Sequence, residues 1–191
     1  IAMPIQVMNN LLIAQIAAGE VVTRPASAVK ELVENALDAG ASKIKIDIQQ
    51  GGLERILVQD NGCGMLKQDM LLSITPHATS KISQLDDLLS ITSFGFRGEA
   101  LASIAAVSEI SISSKHVEAD EAWRLHADLH QSPQLMPVAH PQGTSIEVKQ
   151  LFAKVPVRKR FLASERTQFR HILAVVQQFV LQHDNICFDL Y

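Results

Sequence analysis

Two cysteines in 191 residues are too few for a disulfide framework or a structural zinc site. Cys63 and Cys187 read instead as small apolar residues suited to a reducing compartment. The expected location is cytoplasmic, at the nucleoid if the source is bacterial. No apolar run approaches the roughly 18 residues of a membrane span, and no charged-then-apolar leader opens the chain. There is no G-x-x-x-x-G-K-[ST] and no G-x-G-x-x-G, which disfavours P-loop and dinucleotide-binding sites. The seven histidines contain no H-E-x-x-H pair. His126 and His130 are four apart but have no third ligand, and they fall on the polar side of an alternating strand. A large excess of one charge is also missing: 17 basic residues against 20 acidic ones leave a net of −3. That excludes a uniformly basic nucleic-acid binder but not a local patch. Lys154, Arg158, Lys159, Arg160, Arg166 and Arg170 are set against Glu165 alone in one segment. Its two readings, a solvated helix face and a track for DNA phosphates, both stay open.

What is present is a foldable apolar content, 47% hydrophobic with 19% charged residues. At about 100–200 residues per domain, this is one domain, 1–191. Met3 is read as the natural start, with residues 1–2 a remnant. The run Cys187 to Tyr191 reads as mid-strand, so a truncated chain is expected. Helices are expected from Asn9 to Ala18 with Gly19 closing, from Pro25 to Ala39-Gly40, from Lys67 to Ser73, from Gln84 to Leu89, from Gly98 to Ala106 and from Arg166 to Gln182. Ile44, Ile46 and Ile48 alternate with polar residues as a half-buried strand, and Arg55 to Gln59 follows a Gly51-Gly52 turn. Further strands are expected from Ile110, from Trp123 to Leu129, from Ser145 to Val148 and after Asn185. Gln131 to Gly143, with three prolines, reads as loop. Strict βαβ alternation is missing. The fold class is therefore an α/β (α+β) two-layer sandwich, with a mixed, mostly antiparallel sheet covered by helices on one face.

Three clusters carry chemistry. In Lys30 to Gly40, Glu31, Asn35 and Asp38 share one helix face. Asn35 offers a neutral oxygen suited to Mg²⁺, and Glu31, one turn earlier, can accept a proton from water. Asp60-Asn61-Gly62-Cys63-Gly64 follows a strand. Its carboxylate can accept from an exocyclic amino group, and its glycines let backbone approach a ligand. Phe94 to Ile104 places two glycines and an arginine before a helix start, whose free N–H groups suit phosphate oxygens. Upstream, His77-Ala78-Thr79-Ser80-Lys81 adds hydroxyls and a cation. Each cluster alone also fits an ordinary amphipathic helix, turn or capped loop.

Taken together and in this order, the clusters resemble the ATPase region of the MutL family of DNA mismatch-repair proteins, within the GHKL (Bergerat-fold) ATPases. The likeness runs from Gln15-Ile16-Ala17-Ala18-Gly19-Glu20 through Lys30 to Gly40, Asp60 to Gly64, His77 to Lys81, Gly95 to Leu101 and Gly143-Thr144. It departs at Pro76 and Val157, where many members carry arginine and alanine. The resemblance implies ATP or ADP as ligand with one Mg²⁺. It implies Glu31 as general base, Asn35 as magnesium ligand, and Asp60 as adenine-binding carboxylate supported by Thr144. Gly64 belongs with the nucleotide site, and Thr79, Ser80, Arg97, Gly98 and Leu101 with a lid over the phosphates. For the whole protein it implies a dimer driven by Mg-ATP binding. The implied partners are a mismatch-recognition protein, a repair endonuclease or helicase, and DNA, with no membrane. It also implies a second ATPase subdomain and a C-terminal dimerisation domain that this chain lacks, so the 191-residue chain is expected to bind nucleotide but turn it over poorly. The alternatives are a nucleotide-binding switch module with negligible turnover, and another GHKL ATPase of topoisomerase or kinase type.

Overall fold

The computed structural model describes residues 9–76, 99–128 and 131–191. The first helix, α1 (Asn10–Val21), begins where the Asn9 side chain accepts the Leu12 N–H at 2.7 Å. Pro25 starts α2 (Pro25–Asp38), its missing N–H falling where a helix has no partner for it. There follow β1 (Lys43–Gln49), a 3₁₀ turn (Gln50–Gly52), β2 (Arg55–Asp60), α3 (Lys67–Ser73), α4 (Ala100–Val107), β3 (Glu109–Lys115), β4 (Ala122–Asp128), β5 (Gln131–Val138), β6 (Gly143–Lys149), α5 (Pro156–Phe161), α6 (Glu165–Gln182) and β7 (Cys187–Leu190).

The strands form one sheet in the order β5-β4-β3-β6-β2-β1-β7. Among the described residues every pairing is antiparallel except β1 with β7, so the sheet is mixed, as expected. Its register draws apolar side chains into rows. Ile46, Val58, Ile146, Ile112 and Leu125 face one another across β1, β2, β6, β3 and β4. Ile48, Ile56, Val148, Ile110 and Ala127 make a second row beside it. Val29, Leu32, Val33 and Ala36 of α2 are buried in the same core, with Ile104 and Val107 of α4 and Ile172, Val176 and Phe179 of α6. The alternate positions of the strands carry charge. Arg55 reaches Asp47 at 2.8 Å and Glu147 at 2.6 Å, Lys149 reaches Glu147 at 3.1 Å, and Lys43 reaches Asp189 at 3.5 Å. One face of the sheet is thus apolar under helices, and the other is a ladder of ion pairs.

Three expectations need correction. Gln131–Val138 is a strand, not a loop. It lies at the sheet edge, where Pro133 and Pro137 share one side of the strand and, among the described residues, no outer strand requires their missing N–H groups. Gly19 does not close α1, which continues to Val21. The Arg158 guanidinium lies where a Cβ on Gly19 would stand, so this glycine serves packing rather than termination. A short helix, α5, was not anticipated between Lys154 and Arg166; Pro156 starts it, and Arg158, Lys159 and Arg160 complement the dipole in its last turn. The helix expected at Gln84 to Leu89 lies outside the described residues, as do the start of the one expected from Gly98 and the end of the strand expected to reach Leu129.

The rows make a direct stability prediction. Ile112 is fully buried in the first row, between Ile146 and Leu125. Ile112→Ala should cost about 2–5 kcal/mol, against well under about 1 kcal/mol for Met136→Ala on the exposed edge strand, both read from urea unfolding.

Candidate functional site

On the helix-covered face the third row changes character. Ile44 stands opposite Asp60, Asp60 opposite Thr144, Thr144 opposite Ser114, and Ser114 opposite Trp123. Two rows of aliphatic side chains are therefore followed, one step along the central strands, by a carboxylate and two hydroxyls. Thr144 and Ser114 are buried, and Asp60 is half-buried.

Backbone groups hold this row. The Gly62 N–H donates to Asp60 Oδ1 at 2.8 Å, and the Thr144 N–H donates to the same carboxylate. Burial pushes the Asp60 carboxyl above its ordinary range, and it outweighs the opposing pull of those two N–H groups and of His140. His140 is itself tied at both ring nitrogens, to the Pro141 carbonyl and to Ser145 Oγ, each at 2.7 Å. Ser114 Oγ joins three segments. It accepts the Met65 N–H at 2.8 Å, donates to the Gly143 carbonyl at 3.0 Å, and meets Thr144 Oγ1 at 2.9 Å.

Two glycines make this closeness possible. Gly143 has φ 114°, and a Cβ there would collide with the Asp60 carbonyl. Gly64 has φ 74°, and a Cβ there would strike the Lys115 carbonyl. Asn61 fixes the turn between them: its Oδ1 accepts the Ser42 and Lys43 N–H groups at 2.9 and 2.8 Å, and its Nδ2 donates to Ser42 Oγ at 2.9 Å. The Cys63 N–H donates to the Ala39 carbonyl at 2.9 Å, so the loop that follows Asp60 is bonded to the end of α2.

That helix carries Glu31 and Asn35, both half-buried, with Asp38 exposed one turn on. The opposite stripe, Val29, Leu32, Val33 and Ala36, packs in the core, and Glu34 is also buried, paired to Lys30 at 3.7 Å. Burial raises its carboxyl, with Lys30 pulling the other way. Leu101 lies in the core on α4. Thr79, Ser80, Arg97 and Gly98 lie outside the described residues. The structure thus brings Asp60, Gly64 and Thr144 together around Ser114, and places Glu31 and Asn35 on the helix to which the Asp60 loop is bonded. Sequence reasoning missed Ser114 and Glu34. The signal for Ser114 was present: it occupies the third position of the apolar alternation begun by Ile110 and Ile112.

Elsewhere, His126 Nδ1 meets Ser111 Oγ at 2.9 Å on the opposite face, and His130 lies outside the described residues. Among the described residues no group of three or more His, Cys, Asp or Glu side chains could hold a metal ion. A single neutral oxygen such as that of Asn35 suits Mg²⁺, which takes few protein ligands and completes its shell with phosphate oxygens and water. No helix among the described residues is long and apolar enough to cross a membrane. In the basic segment, Lys154 pairs with Asp128 and Arg158 packs on Gly19, while Lys159, Arg160, Arg166 and Arg170 are exposed.

Residues 22–155 match the family described as histidine kinase-, DNA gyrase B-, and HSP90-like ATPase. The DNA mismatch repair protein MutL of Shewanella denitrificans is 52% identical over 189 residues, covering 98% of this chain and 28% of that protein. A crystal structure of the N-terminal domain of a DNA repair protein superposes with TM-score 0.77 at 32% identity, covering 93% of this chain and 51% of that one. The Aquifex aeolicus MutL ATPase domain complexed with ADP superposes with TM-score 0.69 at 30% identity, covering 90% and 60%. The chain spans 28–31% of the length of the curated relatives it matches.

The raised Asp60 carboxyl has a pH signature. A carboxyl raised on folding favours the folded state most below its ordinary value of 3.8, and that contribution is lost as pH rises through the raised value. Asp60→Asn should therefore gain unfolding free energy relative to the native chain on going from pH 4 to pH 7, in urea titrations at both. Glu147 has the opposite sign. Burial raises it, but hydrogen bonds from Arg55 and Lys149 prevail and hold it below 4.5. Its stabilisation is present above that value and is lost as pH falls through the lowered one, so Glu147→Gln should lose stability at pH 7 and converge on the native chain in acid.

Proposed function

Because the chain belongs to the histidine kinase-, DNA gyrase B- and HSP90-like ATPase family as a MutL-type mismatch-repair ATPase domain, we propose that the row Asp60–Thr144–Ser114 is its adenine end and α2 its phosphate end. The observation that carries this is the Asp60 carboxylate. Two backbone N–H groups fix it at a strand end, and its remaining lone pairs can accept from a ligand amino group such as that of adenine. The Thr144 hydroxyl supports the same base edge, directly or through one water. Gly64 lets the loop approach the nucleotide.

At the other end, Glu31 takes a proton from the attacking water as its oxygen bonds to the γ-phosphorus. The bond to the bridging oxygen of the β-phosphate breaks, leaving ADP and phosphate. Asn35 is the protein oxygen for one Mg²⁺, which when bound neutralises charge on the phosphates. Most of the acceleration rests on positioning and charge stabilisation, since little covalent chemistry falls to the protein. Thr79, Ser80, Arg97, Gly98 and the start of α4 at Leu101 are the lid side of this reading. Lid closure over Mg-ATP then favours pairing of two such domains, and the paired state offers a surface to a mismatch-recognition protein, a repair endonuclease or helicase, and DNA. Nucleotide can drive this only by binding the closed state better than the open one.

Titrating Mg-ATP, Mg-ADP and Mg-GTP into the chain tests the reading, with adenine nucleotides expected to bind and GTP not. In the longer protein, Glu31→Ala should keep ATP affinity while lowering turnover by about 10²–10⁴-fold, measured as phosphate release; unaltered turnover would remove Glu31 from the role of base. Asn35→Ala should weaken ATP binding about tenfold or more in Mg²⁺ and much less in EDTA. An equal affinity for native and variant in Mg²⁺ would count against the assignment.

A further inference from the structure

We propose that Asn61-Gly62 is a guarded site of covalent modification, which on local opening cyclises to a succinimide, reopens to isoaspartate and thereby dismantles the turn that follows Asp60. The chemistry stands on its own. Its effect on nucleotide rests on the adenine reading of Asp60.

The chain has five asparagines, and Asn61 alone is followed by glycine. Glycine has no Cβ to shield its backbone nitrogen from the preceding side chain, and it lets the chain bend as the ring closes. In the step itself, the Gly62 nitrogen bonds to Asn61 Cγ and gives up its proton. The Cγ–Nδ2 bond breaks, and ammonia leaves with that proton. Water then adds to the imide. Opening at Cγ gives aspartate. Opening at the old main-chain carbonyl gives isoaspartate, in which the backbone runs through Cβ and Cγ. Asn61 is exposed, so water reaches it, and no other reagent is needed.

What restrains the step is the set of bonds on the side chain. Oδ1 accepts the Ser42 and Lys43 N–H groups at 2.9 and 2.8 Å, and Nδ2 donates to Ser42 Oγ at 2.9 Å. All three aim the amide at the start of β1, and they break when Cγ swings onto the Gly62 nitrogen. That nitrogen is engaged as well, its N–H held by Asp60 Oδ1 at 2.8 Å. Gly62 is buried against Ala39, and the Cys63 N–H bonds to the Ala39 carbonyl at 2.9 Å. The turn must therefore open locally before it can react. Conversion puts one more atom into the backbone at residue 61. The Gly62 N–H then no longer meets Asp60 in register, nor the Cys63 N–H the Ala39 carbonyl, and the carboxylate comes apart from the end of α2.

The test follows isoaspartate at residue 61 of the 191-residue chain, by peptide mass and isoaspartate-specific methylation, during incubation in mildly alkaline buffer. The native chain should convert at least about tenfold more slowly than the same chain in denaturing urea, because several bonds must open together. Ser42→Ala removes the Oγ partner of Nδ2 and keeps both backbone donors, so it should convert about two- to tenfold faster than native when folded. Equal rates in folded and unfolded native chain, or a Ser42→Ala rate no higher than native, overturn the proposal. The converted chain, separated by its extra negative charge, should bind Mg-ATP at least about tenfold more weakly than the unconverted chain. Asn61→Asp adds the charge without the extra backbone atom and should lose less. Undiminished affinity in the converted chain, or an equal loss in Asn61→Asp, overturns the dismantling of the turn. If the unconverted chain binds no Mg-ATP, the adenine reading fails, and the conversion rates still decide whether Asn61 is a guarded site.

Discussion

The register of three central strands, β2, β6 and β3, is the constraint on which the rest depends. Side chains alternate along a strand, so a shift of one residue would turn every apolar row to the solvent and bring the charged ladder inside. The aliphatic rows make that shift prohibitive. Having fixed the register, they also fix where the third row falls, and that row consists of Asp60, Thr144 and Ser114. The other face reinforces the same alignment, since Arg55 spans to Asp47 on one neighbour and Glu147 on the other. The ordinary physics of core packing thus carries three polar oxygens to one place without any loop having to search for them.

Those oxygens are costly to bury, and the structure shows how the cost is contained. Two have partners from the backbone, Gly62 and Thr144 for the carboxylate and Met65 and Gly143 for the Ser114 hydroxyl, and the Thr144 hydroxyl meets that of Ser114. The glycines matter because the partners could not come close enough past a Cβ. Even so, the Asp60 carboxyl is pushed up, so those bonds do not fully offset its burial. The bonds from Asn61 to Ser42 and Lys43, and from Cys63 to Ala39, then tie this end to α2, so that Glu31 and Asn35 are set by the same framework.

Much of this was legible in the chain. Period-two alternation identified β1, the Gly51-Gly52 turn marked the start of β2, and a proline start with a glycine stop identified α2, because these signals are local. Asp60 and Thr144 were recognisable through motifs that resemble a known family. The strand Gln131–Val138 was not, because three prolines between 131 and 143 read as punctuation until an edge position makes two of them harmless within a strand. Gly19 misled for a similar reason: a helix stop and a packing contact look alike until Arg158, far along the chain, is in place. Ser114 was hidden most completely. Its role comes from lying opposite Thr144, a relation between two strands that no window of sequence contains.

The one parallel pairing in the sheet bears on how the chain comes together. β1 lies beside β2 through a turn of a few residues, but its other edge is completed by residues 187–190, with Tyr191 exchanging bonds with Ile46 and Ile48. All the residues between β1 and β7 must be made before that edge can form. A hairpin seeded by β1 and β2 would therefore carry an open flank until those residues are made, with the loop-closure entropy of the long connection deferred until then. The strand that meets β1 is short, at four residues. The bond network around the site belongs to the early, local side of this order, and the flank at β7 to the late side, where transient opening and unwanted strand pairing would be concentrated.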